Sequence, residues 1–319
     1  MHAAYSHSRL VFRLAVTVLH STLLYRPTGA NPPPLTCVTI DASRRSLACG
    51  TADSRVLLLD AKTGRPRRAL IGHEDMVASV AFGGKSSIVF SASWDGTVRR
   101  WSTGRSTQNT HTLSHTSGAK SLAVDVEAGK GVAGFQDGMV KVFTTSTLKC
   151  LRNIPTHSRD VSSVALLSGG ENLLTASWDG TCRLWDLRRY KLVRTVAEFN
   201  QRIHSMAVLE DGSSVLLGLY NGEVIGISID TNRGAAIEAH QDVVGALTFL
   251  PHTEAFASGG WDCMVRVWGP SHEQVDSHRL PTGVTGMCFS EHEGRLYVSS
   301  FSGAVTALDL DEALSSAGH

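Results

Sequence analysis

One short pattern recurs seven times in this chain: an apolar run, a tight turn on Asp-Gly or a near equivalent, then an alternating apolar run. Its clearest copy reads Thr175, Ala176, Ser177, Trp178, Asp179, Gly180, Thr181, Cys182, Arg183, Leu184, Trp185, Asp186. Asp-Gly between two such runs marks a β-hairpin, because the turn asks for a positive φ that glycine adopts freely. The turn residues of the seven copies stand at 53, 95, 137, 179, 221, 262 and 302, with spacings of 42, 42, 42, 42, 41 and 40. A period this constant over most of 319 residues means one supersecondary unit repeated, each copy burying its apolar face against its neighbours. Strand-length runs separated by turn signals predict an all-β chain with no helix beyond a turn near Asp311.

Three copies carry more than a turn. Counting back 22 and 4 residues from the turn Asp, and forward 6, gives His73, Ser91, Asp95 and Trp101; His157, Thr175, Asp179 and Trp185; and His240, Ser258, Asp262 and Trp268. A half-buried Asp is costly unless its charge is hydrogen-bonded, and His, Ser/Thr and an indole N–H are suitable partners in a chain of donors. A hydrolase triad is a single constellation. Three sets at the repeat period read instead as scaffolding. The other units have lost the set: the one at Asp137 keeps His115 but has Ala133 and Phe143, the one at Asn221 has Phe199, Leu217 and Ile227, and those at Asp53 and Ser302 lack both His and Trp.

With Gly72-His73 early in a unit and Trp185-Asp186 late, at this period, the chain resembles the WD40 family of β-propellers, and the resemblance covers nearly all of it. It implies a seven-bladed propeller in which each sequence repeat supplies the outermost strand of one blade and the three inner strands of the next. The three polar sets are then structural tetrads. Residues 91–98 also look like the propeller found after BEACH domains in factors associated with neutral sphingomyelinase activation, a match resting on one blade.

The resemblance leaves the last blade one strand short, to be supplied from upstream of Leu35. Either 11–19 or 21–25 suits, both being apolar and β-branched in character. The first thirty residues hold Arg9, Arg13 and Arg26 with no acid before Asp41, a composition that also suits a mitochondrial transit peptide, and the two readings are compatible. The organisation expected is therefore an N-terminal segment over 1–30, seven repeats over 31–310, and a short tail over 311–319.

Composition narrows the functional classes. Thirty Lys and Arg against 29 Asp and Glu leave a net charge of +1, which makes no case for direct binding to nucleic acid. The apolar run at 10–24 is interrupted and too short for a membrane span. Arg65, Arg67 and Arg68, and Arg183, Arg188, Arg189, Lys191 and Arg194, read as a solvated rim. The six cysteines are scattered without metal spacing, implying reduced thiols and a cytoplasmic setting, or a mitochondrial one if the N-terminal segment is a targeting peptide. No metal, cofactor or catalytic motif is present, so the chain is expected not to be an enzyme.

The residue before each turn position is Ala52, Trp94, Gln136, Trp178, Tyr220, Trp261 and Phe301. In propellers of this type that position lies near the central opening, where family members often bind partners. The expectation is a scaffold or adaptor, monomeric within a complex, holding a protein or peptide partner through Trp94, Trp178, Tyr220, Trp261 and Phe301. Two alternatives stay open: that these rings stack on one another and plug the channel, or that the protein is a rim-bound subunit of a fixed ribonucleoprotein, ciliary or ubiquitin-ligase-type assembly.

Overall fold

Each repeat folds as an antiparallel meander, and its burial follows from its place in a ring. In the computed structural model, which describes residues 18–28, 31–43, 45–104, 108–250 and 255–310, the strands form seven four-stranded sheets. Blades 1 to 6 occupy 35–70, 77–114, 119–155, 161–198, 203–238 and 244–279, and blade 7 occupies 284–310 plus an N-terminal strand. Taking strands a to d from the axis outward, blade 4 comprises Val161–Leu167, Asn172–Ser177, Thr181–Asp186 and Lys191–Glu198. Strand b is almost wholly buried because neighbouring blades cover both its faces, so it reads as a continuous small and apolar run. Strand d is mostly exposed on the outer rim.

The core is correspondingly divided among the blade interfaces. Leu174, Ala176 and Cys182 of blade 4 pack with Ile203, Val215 and Leu217 of blade 5, and Leu35, Leu47 and Leu59 of blade 1 pack with Tyr297, Val305 and Ala307 of blade 7. Hydroxyls on the inner strands stitch blades near the axis: Ser121 Oγ donates to Val161 O at 2.9 Å, Ser162 Oγ to Ile203 O at 2.7 Å and Ser205 Oγ to Val244 O at 2.8 Å.

The ring closes through the N-terminus. Val18–Tyr25 pairs antiparallel with Val305–Leu310, setting Ser21 opposite Leu308 and Leu23 opposite Thr306. The strand thus takes in all of 21–25 and the end of 11–19; the remainder of that candidate, and the transit-peptide reading, fall on residues 1–17, outside the described residues. The tail over 311–319, with the turn expected near Asp311, also lies outside them. Among the described residues the one helical turn is a 3-10 turn elsewhere, Glu291–Glu293, closed by Gly294 at φ 58°. A short a–b connection ending in a left-handed glycine is enough to make it.

Gly96, Gly138, Gly180 and Gly222 have φ between 82° and 92°, and a Cβ there would come within 2.0–2.4 Å of a carbonyl in the loop that leaves for the next blade. Ser54 and Cys263 fill the same turn position, each at φ 67°.

Candidate functional site

The three polar sets are continuous relays. In blade 2 the Trp101 indole N–H donates to Ser91 Oγ at 2.8 Å, Ser91 Oγ lies 2.7 Å from His73 Nε2, and His73 Nδ1 lies 2.8 Å from Asp95 Oδ2. Blade 4 repeats the distances at 3.0, 2.8 and 3.0 Å through Trp185, Thr175, His157 and Asp179, and blade 6 at 2.8, 2.8 and 2.9 Å through Trp268, Ser258, His240 and Asp262. A neutral imidazole protonated on Nδ1 satisfies every group in order: indole to hydroxyl, hydroxyl to Nε2, Nδ1–H to carboxylate. Burial pushes all three imidazoles below their ordinary pKa despite the adjacent carboxylates. Burial would raise Asp95, but hydrogen bonds from Thr97 and His73 outweigh it and hold the carboxyl at about 2.

Blade 3 indicates what the serine contributes. With Ala133 in its place, His115 turns so that Nε2 meets Asp137 at 2.7 Å, and its side chain is 15% exposed against 1% or less in the tetrads.

The five aromatic residues stand on the face carrying the b–c turns. Four of them form an arc around His204 of an innermost strand: Trp261 lies 6.2 Å from Tyr220 and 5.3 Å from Phe301 between ring centroids, and His204 bridges Trp178, Tyr220 and Trp261 at 6.4, 6.3 and 5.4 Å. His204 stacks nearly parallel on Trp178 and the other pairs meet edge to face, yet Tyr220 and Phe301 each remain 39% exposed. Trp94 is equally exposed and has no ring contact among the described residues.

Cations hold one end of the arc. Lys120 Nζ lies 3.1 Å from the Trp178 ring centre while pairing with Asp160 at 3.0 Å, and the Arg202 guanidinium carbon lies 5.0 Å from Trp178 and 5.5 Å from Tyr220. Burial, with the charge of Lys120, pushes His204 down to about 4, so its imidazole is neutral at physiological pH. Trp178 Nε1 and His204 Nδ1 are buried and have no hydrogen-bond partner among the described residues.

Beside these rings a cleft of about 470 Å³ opens between blades 4 and 5, running from Glu198 at the end of an outer strand inward to Arg159, Arg202 and Tyr220. Among the described residues no group of three His, Cys, Asp or Glu is placed to hold a metal ion, and no helix is long and apolar enough to cross a membrane.

Residues 64–102, 148–186 and 232–269 match the family described as "WD domain, G-beta repeat". Each matched stretch opens at the outermost strand of one blade and ends with the third strand of the next, and the three blades whose inner strands it supplies are those with full tetrads. The chain carries WD40 repeats. Blades 1, 3, 5 and 7 of the WD40 propeller share its geometry without the tetrad.

Curated relatives match this chain over part of its length and over a smaller part of their own. "Autophagy-related protein 16" of Arabidopsis thaliana is 28% identical over 140 residues, covering 44% of this chain and 27% of the relative. "Periodic tryptophan protein 2 homolog" of Mus musculus is 38% identical over 93 residues, 29% of this chain and 10% of the relative. "Pre-mRNA-processing factor 19 homolog 2" of Arabidopsis thaliana is 29% identical over 138 residues, 42% of this chain and 26% of the relative. The chain therefore spans about a quarter or less of the length of each.

Lys120, His204 and Arg202 were absent from the sequence-based site, yet a signal for two of them exists. Lys120 and His204 each stand 17 residues before their turn residue, at the inner-strand position that holds Thr36, Ala78, Ser162, Gly245 and Thr285 in the other blades of the WD40 propeller. The basic residues expected on a solvated rim divide differently. Arg67 pairs with Asp60 at 2.6 Å, Arg188 with Glu171 and Arg194 with Asn232, whereas Arg183 leaves the rim altogether and donates to Thr156 O near the blade 3–4 junction. The repeat places it on strand c, whose side chains face the neighbouring loop, which is why a rim position was the wrong expectation.

Proposed function

We propose that this WD40 propeller is a non-catalytic scaffold that holds a protein or peptide partner on the face bearing Trp94, Trp178, Tyr220, Trp261 and Phe301. WD40 propellers are in general non-catalytic platforms, and the relatives' names are those of components rather than of enzymes. The observation that carries the reading is the half-exposed aromatic arc, held by Lys120 and Arg202 beside a cleft of about 470 Å³. Pre-ordered rings bury area on binding at small entropic cost, which makes them effective anchors. The setting belongs to the same reading: six free cysteines suit the cytoplasm.

Substituting Trp94, Trp178 and Trp261 together by Ala tests it. Recovery of the partner by a tagged chain should fall to background while the circular dichroism spectrum is kept. Undiminished recovery would refute the aromatic face. A rim-bound subunit remains the second reading, supported by Leu192 and Val193, 46% and 54% exposed on the outer strand of blade 4. Alanine at those two positions, rather than at the tryptophans, would then release the partner.

A further inference from the structure

We propose that the cleft between blades 4 and 5 receives an acidic peptide segment, with an aspartate or glutamate carboxylate held between Arg159 and Arg202. The inference rests on the reading of this face as a docking surface and names the chemistry of what docks there.

The cleft lies beside blade 5, which has lost all four tetrad residues. Phe199 occupies the place of a tetrad His and Asn221 that of its Asp, so the loop over 199–202 has no imidazole–carboxylate tie into blade 5. Asn221 instead donates to Glu223 at 2.7 Å. The space left at this seam is of ligand size.

At the inner end its available charges are positive. Arg159 and Arg202 are exposed and, among the described residues, have no carboxylate partner, whereas the two acids beside them are engaged. Asp160 pairs with Lys120 at 3.0 Å, and Asp179 with His157 at 3.0 Å. Arg202 lies against the Trp178 and Tyr220 rings, which orders the guanidinium without using its N–H groups. An ordered guanidinium with free donors suits a carboxylate, which accepts two parallel hydrogen bonds.

The sign also varies around the face and along the cleft. Lys120, Arg159 and Arg202 belong to blades 3 to 5, while Glu74 and Asp75 enter blade 2 and Asp242 enters blade 6. Within the cleft Glu198 stands at the outer end and the two arginines at the inner end. An acidic segment is thus drawn inward toward the channel and repelled from the rim.

The test uses the full chain with fluorescein-labelled octaglutamate, and octalysine for comparison, in fluorescence anisotropy at low and high salt. Octaglutamate should bind, octalysine should not, and added salt should weaken the complex. Arg159→Gln with Arg202→Gln should weaken binding about tenfold or more, corresponding to loss of a charge-assisted contact. Glu198→Gln should tighten it by about threefold, and Arg188→Gln with Arg189→Gln on the rim should change it less than about twofold. Arg202→Lys keeps the charge but not the planar fork and should fall in between, so the idea stays testable if the double variant folds poorly.

No binding of octaglutamate, or equal loss from the rim variant, would overturn the proposal. So would a double glutamine variant that binds as well as wild type. If the natural partner is lost from the triple tryptophan variant but not from the arginine variant, the docking face stands and the acidic occupant falls. If the partner survives the tryptophan changes, the docking face itself falls.

Discussion

His157 Nδ1 lies 3.0 Å from Asp179 Oδ2 in blade 4, while the backbone N–H of the same histidine donates to Gly138 O at 3.0 Å in blade 3. One residue therefore ties two adjacent sheets, by main chain to the sheet it leaves and by side chain to the sheet it enters. Removing the imidazole takes one hydrogen bond from a carboxylate that is 8% exposed and still accepts from Thr181 and Ser158, and leaves the Thr175 hydroxyl without its imidazole acceptor. His157→Ala should cost about 3 kcal/mol, the order expected when a hydrogen bond to a charged group is lost together with a buried ring. His115→Ala in blade 3, whose Asp137 is 38% exposed, should cost less than about 1 kcal/mol. Urea melts of the two variants decide it: equal losses would mean that the tetrad is no more than a surface pair.

The relays also set how stability responds to acid. His73, His157 and His240 have pKa values below 6.5 in the folded chain, chiefly through burial. Below that pH the unfolded chain binds more protons than the folded one, so stability is complete above it and declines as pH falls through the folded values. His204, at about 4, adds to the loss between 6.5 and 4. Asp95, held at about 2 from an ordinary 3.8, adds a second loss at still lower pH. The urea midpoint should drop from about pH 7.5 to about pH 5, and His204→Gln should flatten that slope. A midpoint that rises on acidification would contradict neutral imidazoles in the relays.

Much of this was legible because a repeat prints its structure many times. Asp95, Asp179 and Asp262 recur with their His, Ser/Thr and Trp at fixed offsets, so seven blades and three relays follow from counting. Lys120 and His204 occupy one shared offset whose residue type changes between most blades, with Thr at both 36 and 285, so the repeat does not single either of them out. Arg202 escapes for a related reason. Its role arises from rings on two neighbouring blades, Trp178 and Tyr220, brought together only by closing the ring. The N-terminal strand was legible only as a vacancy at the last blade, since an outer strand with one covered face carries a weak pattern of its own.

The turn glycines offer a test with two signs. Gly180 has φ 87°, and a Cβ there would sit 2.1 Å from Phe199 O, so Gly180→Ala meets both an unfavourable conformation and a carbonyl. It should cost at least about 2 kcal/mol. Cys263 holds the same turn position at φ 67° and already bears the conformational penalty, so Cys263→Gly should stabilise the protein by up to about 1 kcal/mol. Calorimetric midpoints should move in opposite directions; a loss on Cys263→Gly would mean that its side-chain packing outweighs the backbone.

Ring closure can be isolated with a matched pair of glycines. Gly64 and Gly129 share the same backbone conformation, at φ 66° and 67°, but differ in what surrounds them. A Cβ on Gly129 meets nothing within 4 Å, whereas one on Gly64 would stand 1.8 Å from Leu24 O in the N-terminal strand. Alanine at either site carries the left-handed penalty of about 1 kcal/mol, and the contact with Leu24 is additional only at Gly64. Gly64→Ala must therefore push Val18–Tyr25 off its place, since a backbone carbonyl cannot swing aside as a side-chain end would. Hydrogen exchange should accelerate in Val18–Tyr25 and in its partner strand Val305–Leu310 for Gly64→Ala, and remain near wild type there for Gly129→Ala. Indistinguishable exchange in the two variants would show that the closing strand does not lean on blade 1, and that blade 7 is held by its own ladder alone.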